Sequence, residues 1–254
     1  MSLLRVTHIA KAFGGFRALD DVSFEVDAGE MVALIGPNGA GKSTCFNVLN
    51  GQLRPDAGSI VFAGAQIAGL APRAIWRRGV ARTFQIAASF ASLSAMENVQ
   101  LALASREREV QRWWKPLAAT HRVEALALLE RVGMVAMADQ FCGVLAYGDV
   151  KRVELAIALA SRPRLLLMDE PTAGMSSAER ESLMVLVKQL VAEQRVAALF
   201  TEHSMDAVFG FADRVIVMAR GKVIAAGAPD AIRRDRKVGE VYFGAGSLLE
   251  EPLP

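Results

Sequence analysis

Residues 36–44 read Gly36-Pro37-Asn38-Gly39-Ala40-Gly41-Lys42-Ser43-Thr44. This stretch fits the pattern G-x-x-x-x-G-K-[ST]. Ahead of it stand residues 31–35, a continuous apolar run suited to a buried strand, and behind it a helical pattern continues through Leu49. A strand, a glycine loop and a helix in that order begin an α/β fold. The glycines let the backbone wrap a phosphate with several N–H groups pointing inward. Lys42 then neutralises β- and γ-phosphate charge, Ser43 offers a hydroxyl to Mg²⁺, and the helix beginning near Lys42 turns its positive end toward the same anion. The stretch predicts a nucleotide-phosphate site.

A second stretch completes the chemistry. Leu165-Leu166-Leu167-Met168-Asp169-Glu170 is an apolar strand that delivers two carboxylates at its C-terminal end. Ligands of open α/β sheets sit at that end of the strands. Asp169 is placed to hold Mg²⁺, directly or through water, and Glu170 to polarise an attacking water as general base. Together the two stretches imply a nucleoside triphosphatase.

Composition bounds the rest. The chain has 254 residues with 29 Lys+Arg against 27 Asp+Glu, a net charge of +2, which argues against nucleic-acid binding driven by bulk charge. Apolar residues reach 52% and mean hydropathy is +0.28, yet no apolar stretch approaches the roughly 18–20 residues that span a bilayer. The apolar excess suggests docking against something. Cys45 and Cys142 show no CxxC spacing, so they read as small buried hydrophobes in a reducing compartment. The N-terminal residues carry no continuous apolar segment of the kind a signal sequence needs.

Along the chain, residues 3–35 read as short strands, and 59–63 and 80–84 as two more, with 72–78 a short helix between them. Helical spacing dominates from about 94 to 162, in 95–104, 122–132 and 150–160. Within it, 105–121 is polar and basic and holds Trp113 and Trp114, which read equally as a membrane or subunit contact or as ordinary packing. Strands return at 165–168, 197–201 and 214–218, with a helix at 178–193. A hairpin closes 215–226 through Arg220-Gly221. A helical block is therefore inserted into an α/β core.

Leu145-Ala146-Tyr147-Gly148-Asp149, ahead of a helix and 20 residues before the strand that ends in Asp169, is where the chain comes to resemble the ATP-binding cassette (ABC) family, whose signature is usually LSGGQ. Other positions match that family in order: Gln85 after a strand, Ala173-Gly174-Met175-Ser176 after Glu170, His203 after the strand at 197–201, and Phe13 upstream as the adenine-stacking aromatic, with Phe16 as the nearby alternative. The resemblance covers roughly residues 3–244. Arg82-Thr83-Phe84-Gln85, the 145–149 segment, Thr201-Glu202-His203 and the tail with Tyr242-Phe243 look like the branched-chain amino acid importer ATPases.

The resemblance implies a P-loop nucleotide-binding domain with an N-terminal antiparallel β-subdomain and an inserted α-helical subdomain. Its expected division is a core of 3–93 and 163–237, a helical subdomain of 94–162 and a tail of 238–254. It implies Mg²⁺ and two ATP molecules held head to tail between two cassettes, the phosphate loop of one facing residues 145–149 of the other. The N–H groups of the helix opened by Gly148-Asp149 would then meet the partner's γ-phosphate. Gln85 would sense the γ-phosphate or the metal, as a catalytic and metal-contacting residue, and move the helical block against membrane subunits. His203 would act beside Glu170. Implied partners are a second cassette, two transmembrane permease subunits and, indirectly, a substrate-binding protein, with no nucleic acid. The implied place is the cytoplasmic face of the inner or plasma membrane, and the implied cargo a branched-chain or other hydrophobic amino acid, or a related amide or urea. The alternative is a soluble, non-transport cassette acting on DNA or ribosomes.

Four positions depart from the wider family: Ala146 for the signature serine, Asp149 for glutamine, Val150 for a polar residue and Ser176 for aspartate. Asp149 reads as an N-cap of the helix behind it. The departures lie in what the chain presents to its partner's nucleotide, whereas its own set of Lys42, Ser43, Gln85, Asp169, Glu170 and His203 is complete. A heterodimer with asymmetric sites is the expectation.

Overall fold

A computed structural model describes residues 2–83, 89–106 and 121–243. Its centre is a six-stranded sheet of β3 (Met31–Ile35), β6 (Val80–Thr83), β7 (Leu165–Asp169), β8 (Ala197–Thr201), β9 (Arg214–Ala219) and β10 (Lys222–Gly227), in the order β10-β9-β3-β8-β7-β6. All neighbours run parallel except β10, which returns antiparallel on β9. Every residue of β3, β7 and β8 is buried, the reason these segments read as unbroken apolar runs.

The period-2 alternation of these strands divides the interior into two cores. Met31, Ala33, Ile35, Leu166, Met168, Ala198 and Phe200 face one, Val32, Leu34, Leu165, Leu167, Ala197 and Leu199 the other. The first core is covered by α3 (Ala95–Arg106), α4 (Arg122–Arg131), α5 (Tyr147–Ala160) and α6 (Ser177–Gln194). The second is covered by α1 (Lys42–Leu49) and a four-stranded antiparallel sheet, β2-β1-β4-β5, of β1 (Ser2–Phe13), β2 (Phe16–Asp27), β4 (Ala57–Phe62) and β5 (Ala65–Gln66). The chain leaves the central sheet after β6, runs through α3 to α5, and re-enters in the neighbouring β7.

Several elements differ from the sequence reading. The N-terminal strands are not short: β1 and β2 are 12 residues each. Bulges keep their apolar positions on one face where strict alternation fails, as at the shifts between Val6 and Ile9 and between Ile9 and Lys11. The strand expected at 59–63 ends at Phe62, because Ala63 turns at φ 51°. The helix expected from 72 to 78 is α2 (Pro72–Trp76). Helix α5 starts three residues ahead of the expected Val150, since Tyr147 and Gly148 sit in its first turn despite glycine's low propensity. Among the described residues, the short α-helices α7 (Met205–Phe211), α8 (Pro229–Arg233) and α9 (Arg236–Phe243) have no counterpart in the sequence reading. The β9–β10 turn follows expectation, with Arg220 and Gly221 both at positive φ, the geometry of a two-residue hairpin.

Both cysteines are buried, as expected, and burial pushes the Cys45 thiol up to about 12. Among the described residues no helix is long and apolar enough to cross a membrane. Trp113, Trp114 and Gln85 lie outside the described residues, as do the side chains of Tyr242 and Phe243.

Candidate nucleotide site

Two glycines of the loop between β3 and α1 stand where no other residue fits. Gly36 stands at φ 151°, and a Cβ there would lie 2.1 Å from the Met218 carbonyl oxygen. Gly41 stands at φ 103°, and its Cβ would lie 2.4 Å from the Ala18 oxygen. Gly41 opens α1 without a side-chain cap, so the first N–H groups of the helix are left to the loop's concave face. That is the arrangement an anion requires. Pro37, Asn38, Gly39 and Ala40 form the crest, and Ser43 and Thr44 follow in the first turn.

Lys42 is 8% exposed and folds back over this cradle, its Nζ donating to Gly36 O at 2.6 Å and Pro37 O at 3.1 Å. Burial lowers its pKa, while the charges of Glu170 and Asp169 push it back up. Its ammonium group thus sits in the field of both carboxylates at the end of β7. A phosphate entering the loop would supply the acceptors that the two carbonyls now provide.

Asp169 and Glu170 are held by β8, the strand beside them. Thr201, level with Asp169 across the parallel pair, donates its hydroxyl to Asp169 Oδ1 at 2.8 Å and accepts the Glu170 N–H at 3.1 Å. Asp169 Oδ2 meets Arg82 Nη2 at 2.7 Å, with the two side chains 7% and 11% exposed. Arg82 also donates to Asn47 Oδ1 of α1 at 2.6 Å, tying β6, β7 and α1 together. Neither Arg82 nor Thr201 is identified by the sequence reading as part of the site. A lone guanidinium in a four-residue strand is the signal that could have found Arg82. Thr201 carries no such signal, because threonine is common in strands.

Glu170 occupies left-handed backbone at φ 49°, uncommon for a residue with a Cβ. Its Oε1 lies 3.0 Å from His203 Nε2, and its side chain is 21% exposed against 57% for His203. A carboxylate reachable by solvent and paired with an imidazole can orient a water molecule and take its proton.

The structure therefore brings Asp169 and Glu170 near Lys42 of the 36–44 loop, with His203 against the Glu170 carboxylate. The 145–149 segment has other neighbours. A Cβ on Gly148 would lie 3.1 Å from Glu179 Oε1, and one on Gly174 3.6 Å from the Tyr147 ring. Leu145 is partly buried, and Tyr147 is 46% exposed with Lys151 Nζ 5.4 Å from its ring centroid. The N-cap expected of Asp149 is a correction: Ala146 takes that place at φ −61° and ψ 152°, and Asp149 lies inside the first turn. There its charge complements the helix dipole without capping it. Ser176 has a definite local role, capping α6 through a reciprocal box with Glu179. Phe13 and Phe16 face each other at the β1–β2 turn, 48% and 63% exposed, and Lys11 Nζ stands 5.7 Å from the Phe13 centroid.

Comparison with known proteins identifies the family and the fold. The family profile of the ABC transporters matches residues 19–173. The high-affinity branched-chain amino acid transport ATP-binding protein BraF of Pseudomonas aeruginosa is 35% identical over 252 residues, covering 95% of this chain and 98% of its own. The crystal structure of the ADP conformation of MJ1267, an ATP-binding cassette of an ABC transporter, superposes with a TM-score of 0.86 at 32% identity, covering 96% of this chain and 99% of that one. A dimeric post-hydrolysis structure of the cassette MJ0796 with ADP and Pi gives 0.75 at 25% identity, covering 89% and 98%. With an uncapped glycine loop, a buried lysine and two carboxylates built on the fold of these proteins, the chain belongs to the ABC transporter family, as one of its ATP-hydrolysing cassettes.

Proposed function

We propose that the chain hydrolyses Mg-ATP in a head-to-tail pair of cassettes and so drives import of a branched-chain or other hydrophobic amino acid, or a related amide or urea, through separate permease subunits. The observation that carries the catalytic part is that Lys42 of the 36–44 loop lies in the field of Asp169 and Glu170, with His203 against the Glu170 carboxylate. The cargo rests on the name of BraF and the near-complete overlap with it.

In this reading the N–H groups of residues 36–44 enclose the β-phosphate, and Lys42 exchanges its two carbonyl acceptors for phosphate oxygens. Ser43 and Asp169 are the groups to hold Mg²⁺. Because Arg82 and Thr201 occupy both oxygens of Asp169, a metal contact through water fits best. Among the described residues no cluster of three or more His, Cys, Asp or Glu could hold a metal by itself. That suits Mg²⁺, which keeps waters and takes ligands from phosphates. Glu170 removes the proton of the attacking water, and His203 holds the Glu170 carboxylate and faces the γ-phosphate. Gln85 would supply a further ligand to the metal, and Phe13 would stack on the base.

Residues 145–149 meet the nucleotide of the second cassette, their N–H groups at the start of α5 directed across the interface. Ala146 brings no hydroxyl to that contact, and Ser176 is engaged by Glu179, so a different chain as partner is the favoured pairing. The chain divides into a core (3–93 and 163–237), a helical block (94–162) and a tail (238–254). The cassette sits on the cytoplasmic face of the membrane, held there by its permeases. Purification of the full chain from its own cells tests this: membrane proteins should accompany it. Deletion of its gene should lower leucine uptake, and unaltered uptake would remove the cargo assignment alone.

A further inference from the structure

Three consecutive residues at the end of β8 all bond to the segment that carries Glu170. Thr201 grips Asp169 and the Glu170 N–H, and His203 meets the Glu170 carboxylate. Between them, Glu202 is 5% exposed, and its Oε1 accepts the Thr172 N–H at 2.9 Å and the Thr172 hydroxyl at 2.7 Å. Thr172 is itself 2% exposed. A carboxylate taken so far out of water is costly and needs a reason.

The backbone provides it. Glu170 is left-handed at φ 49°, and the next residues fold into two overlapping turns, closed by Ala173 N to Glu170 O at 3.2 Å and Met175 N to Thr172 O at 3.1 Å. Left-handed backbone persists at a residue with a Cβ only where its surroundings over-determine it. Thr201 fixes the near side of Glu170. Glu202 fixes the far side, beyond Pro171, at a backbone N–H and a side chain together.

We propose that Glu202 is a positioning residue for hydrolysis: its bonds to Thr172 hold the 170–172 turn so that the Glu170 carboxylate stays opposite His203. This rests on the reading of Glu170 as the group that activates water. Glu202 touches neither nucleotide nor water. It acts through the placement of Glu170.

The test uses the full chain and the variants Glu202→Ala, Glu202→Gln, Thr172→Val and Glu170→Gln. Glu202→Ala should lower kcat about 10–100-fold with KM for ATP within about twofold, since a displaced base costs turnover and leaves ground-state binding alone. Glu202→Gln keeps the Oε1 acceptor and should recover kcat to within about threefold of wild type. Hydrogen exchange, read without nucleotide, should rise at the Thr172 and Glu170 amides in Glu202→Ala. Thr172→Val added to Glu202→Ala should cost nothing further in kcat. Faster exchange with unchanged kcat would overturn the proposal and leave Glu202 a purely structural group, as would exchange unchanged at both amides. Glu170→Gln turning over like wild type would remove the reading beneath the proposal, and the proposal with it, and that result is distinguishable because it appears with Glu202 intact.

Discussion

Arg82 Nη2 and Asp169 Oδ2 meet at 2.7 Å inside the protein, joining the end of β6 to the carboxylate at the end of β7. The same guanidinium holds Asn47 on α1, so one side chain links the phosphate-loop helix, the carboxylate strand and the strand that leads toward Gln85. Removing one partner of a buried pair leaves the other charge uncompensated, which costs about 3–5 kcal/mol. Arg82→Ala should therefore lower the thermal midpoint by about 6–20 °C, at about 2–4 °C per kcal/mol for a chain of this size. Arg82→Lys should rescue it poorly, because an ammonium cannot span Asn47 and Asp169 as the planar fork does. Thermal melting of the three proteins decides it.

The loop glycines should separate by cause. Gly36→Ala and Gly41→Ala drive a Cβ to within 2.1 Å and 2.4 Å of backbone oxygens. Since backbone must move, each should cost about 2–4 kcal/mol and abolish nucleotide binding. Gly39 is at φ 78° with nothing within 4 Å of a Cβ, so Gly39→Ala should cost only the left-handed penalty of about 1–2 kcal/mol. Urea unfolding of the variants gives the comparison.

Phe13 should matter to nucleotide affinity and Phe16 should not. Loss of one base–aromatic stack is worth about 1–3 kcal/mol, so Phe13→Ala should weaken binding of a fluorescent ATP analogue roughly 5–150-fold. Equal losses for Phe13→Ala and Phe16→Ala would show that the turn as a whole, and no one ring, makes the contact.

Acid should loosen the helical block at Glu124. Its carboxyl lies below the ordinary 4.5 because Arg106 donates to it, with Arg162 adding to the effect and burial opposing it. Arg106 of α3 also bonds Ala160 O of α5, so Glu124 on α4 joins all three helices. A depressed carboxyl contributes stability above its unfolded value of 4.5, lost as pH falls through the lower folded one. Wild type should be more stable than Glu124→Gln at pH 7, and the gap should close as pH falls from about 5 toward 3. Melting points across that range check it.

The legibility of this chain divides along physical lines. The helix after Lys42 and the buried strands at 165–169 and 197–201 are legible because their apolar patterns and the glycine loop are local signals. That Lys42 comes near Asp169 and Glu170 is legible, because a glycine loop after one buried strand and carboxylates at the end of another mark the same edge of the sheet. Arg82 is not, because its partner lies 87 residues away and only the β6–β7 pairing brings them together. Asp149 is misread as a cap because helix starts are weakly encoded when Ala and Gly stand where Ser or Thr could mark them. The two long N-terminal strands read as short because bulges break their alternation. Ser176, a departure from the family pattern in sequence, is an ordinary capping residue for α6.

In the proposed mechanism Glu170 performs the hydrolytic step in a site built by Lys42, Asp169 and His203. The measurement that tests it most directly is phosphate release from Mg-ATP by the purified full chain, beside Glu170→Gln, over a range of protein concentration. Specific activity should rise with concentration as cassettes pair, and the variant should lose about 10²–10⁴-fold with ATP binding retained, the range for removing a general base. Glu170→Gln hydrolysing ATP at the wild-type rate would contradict it.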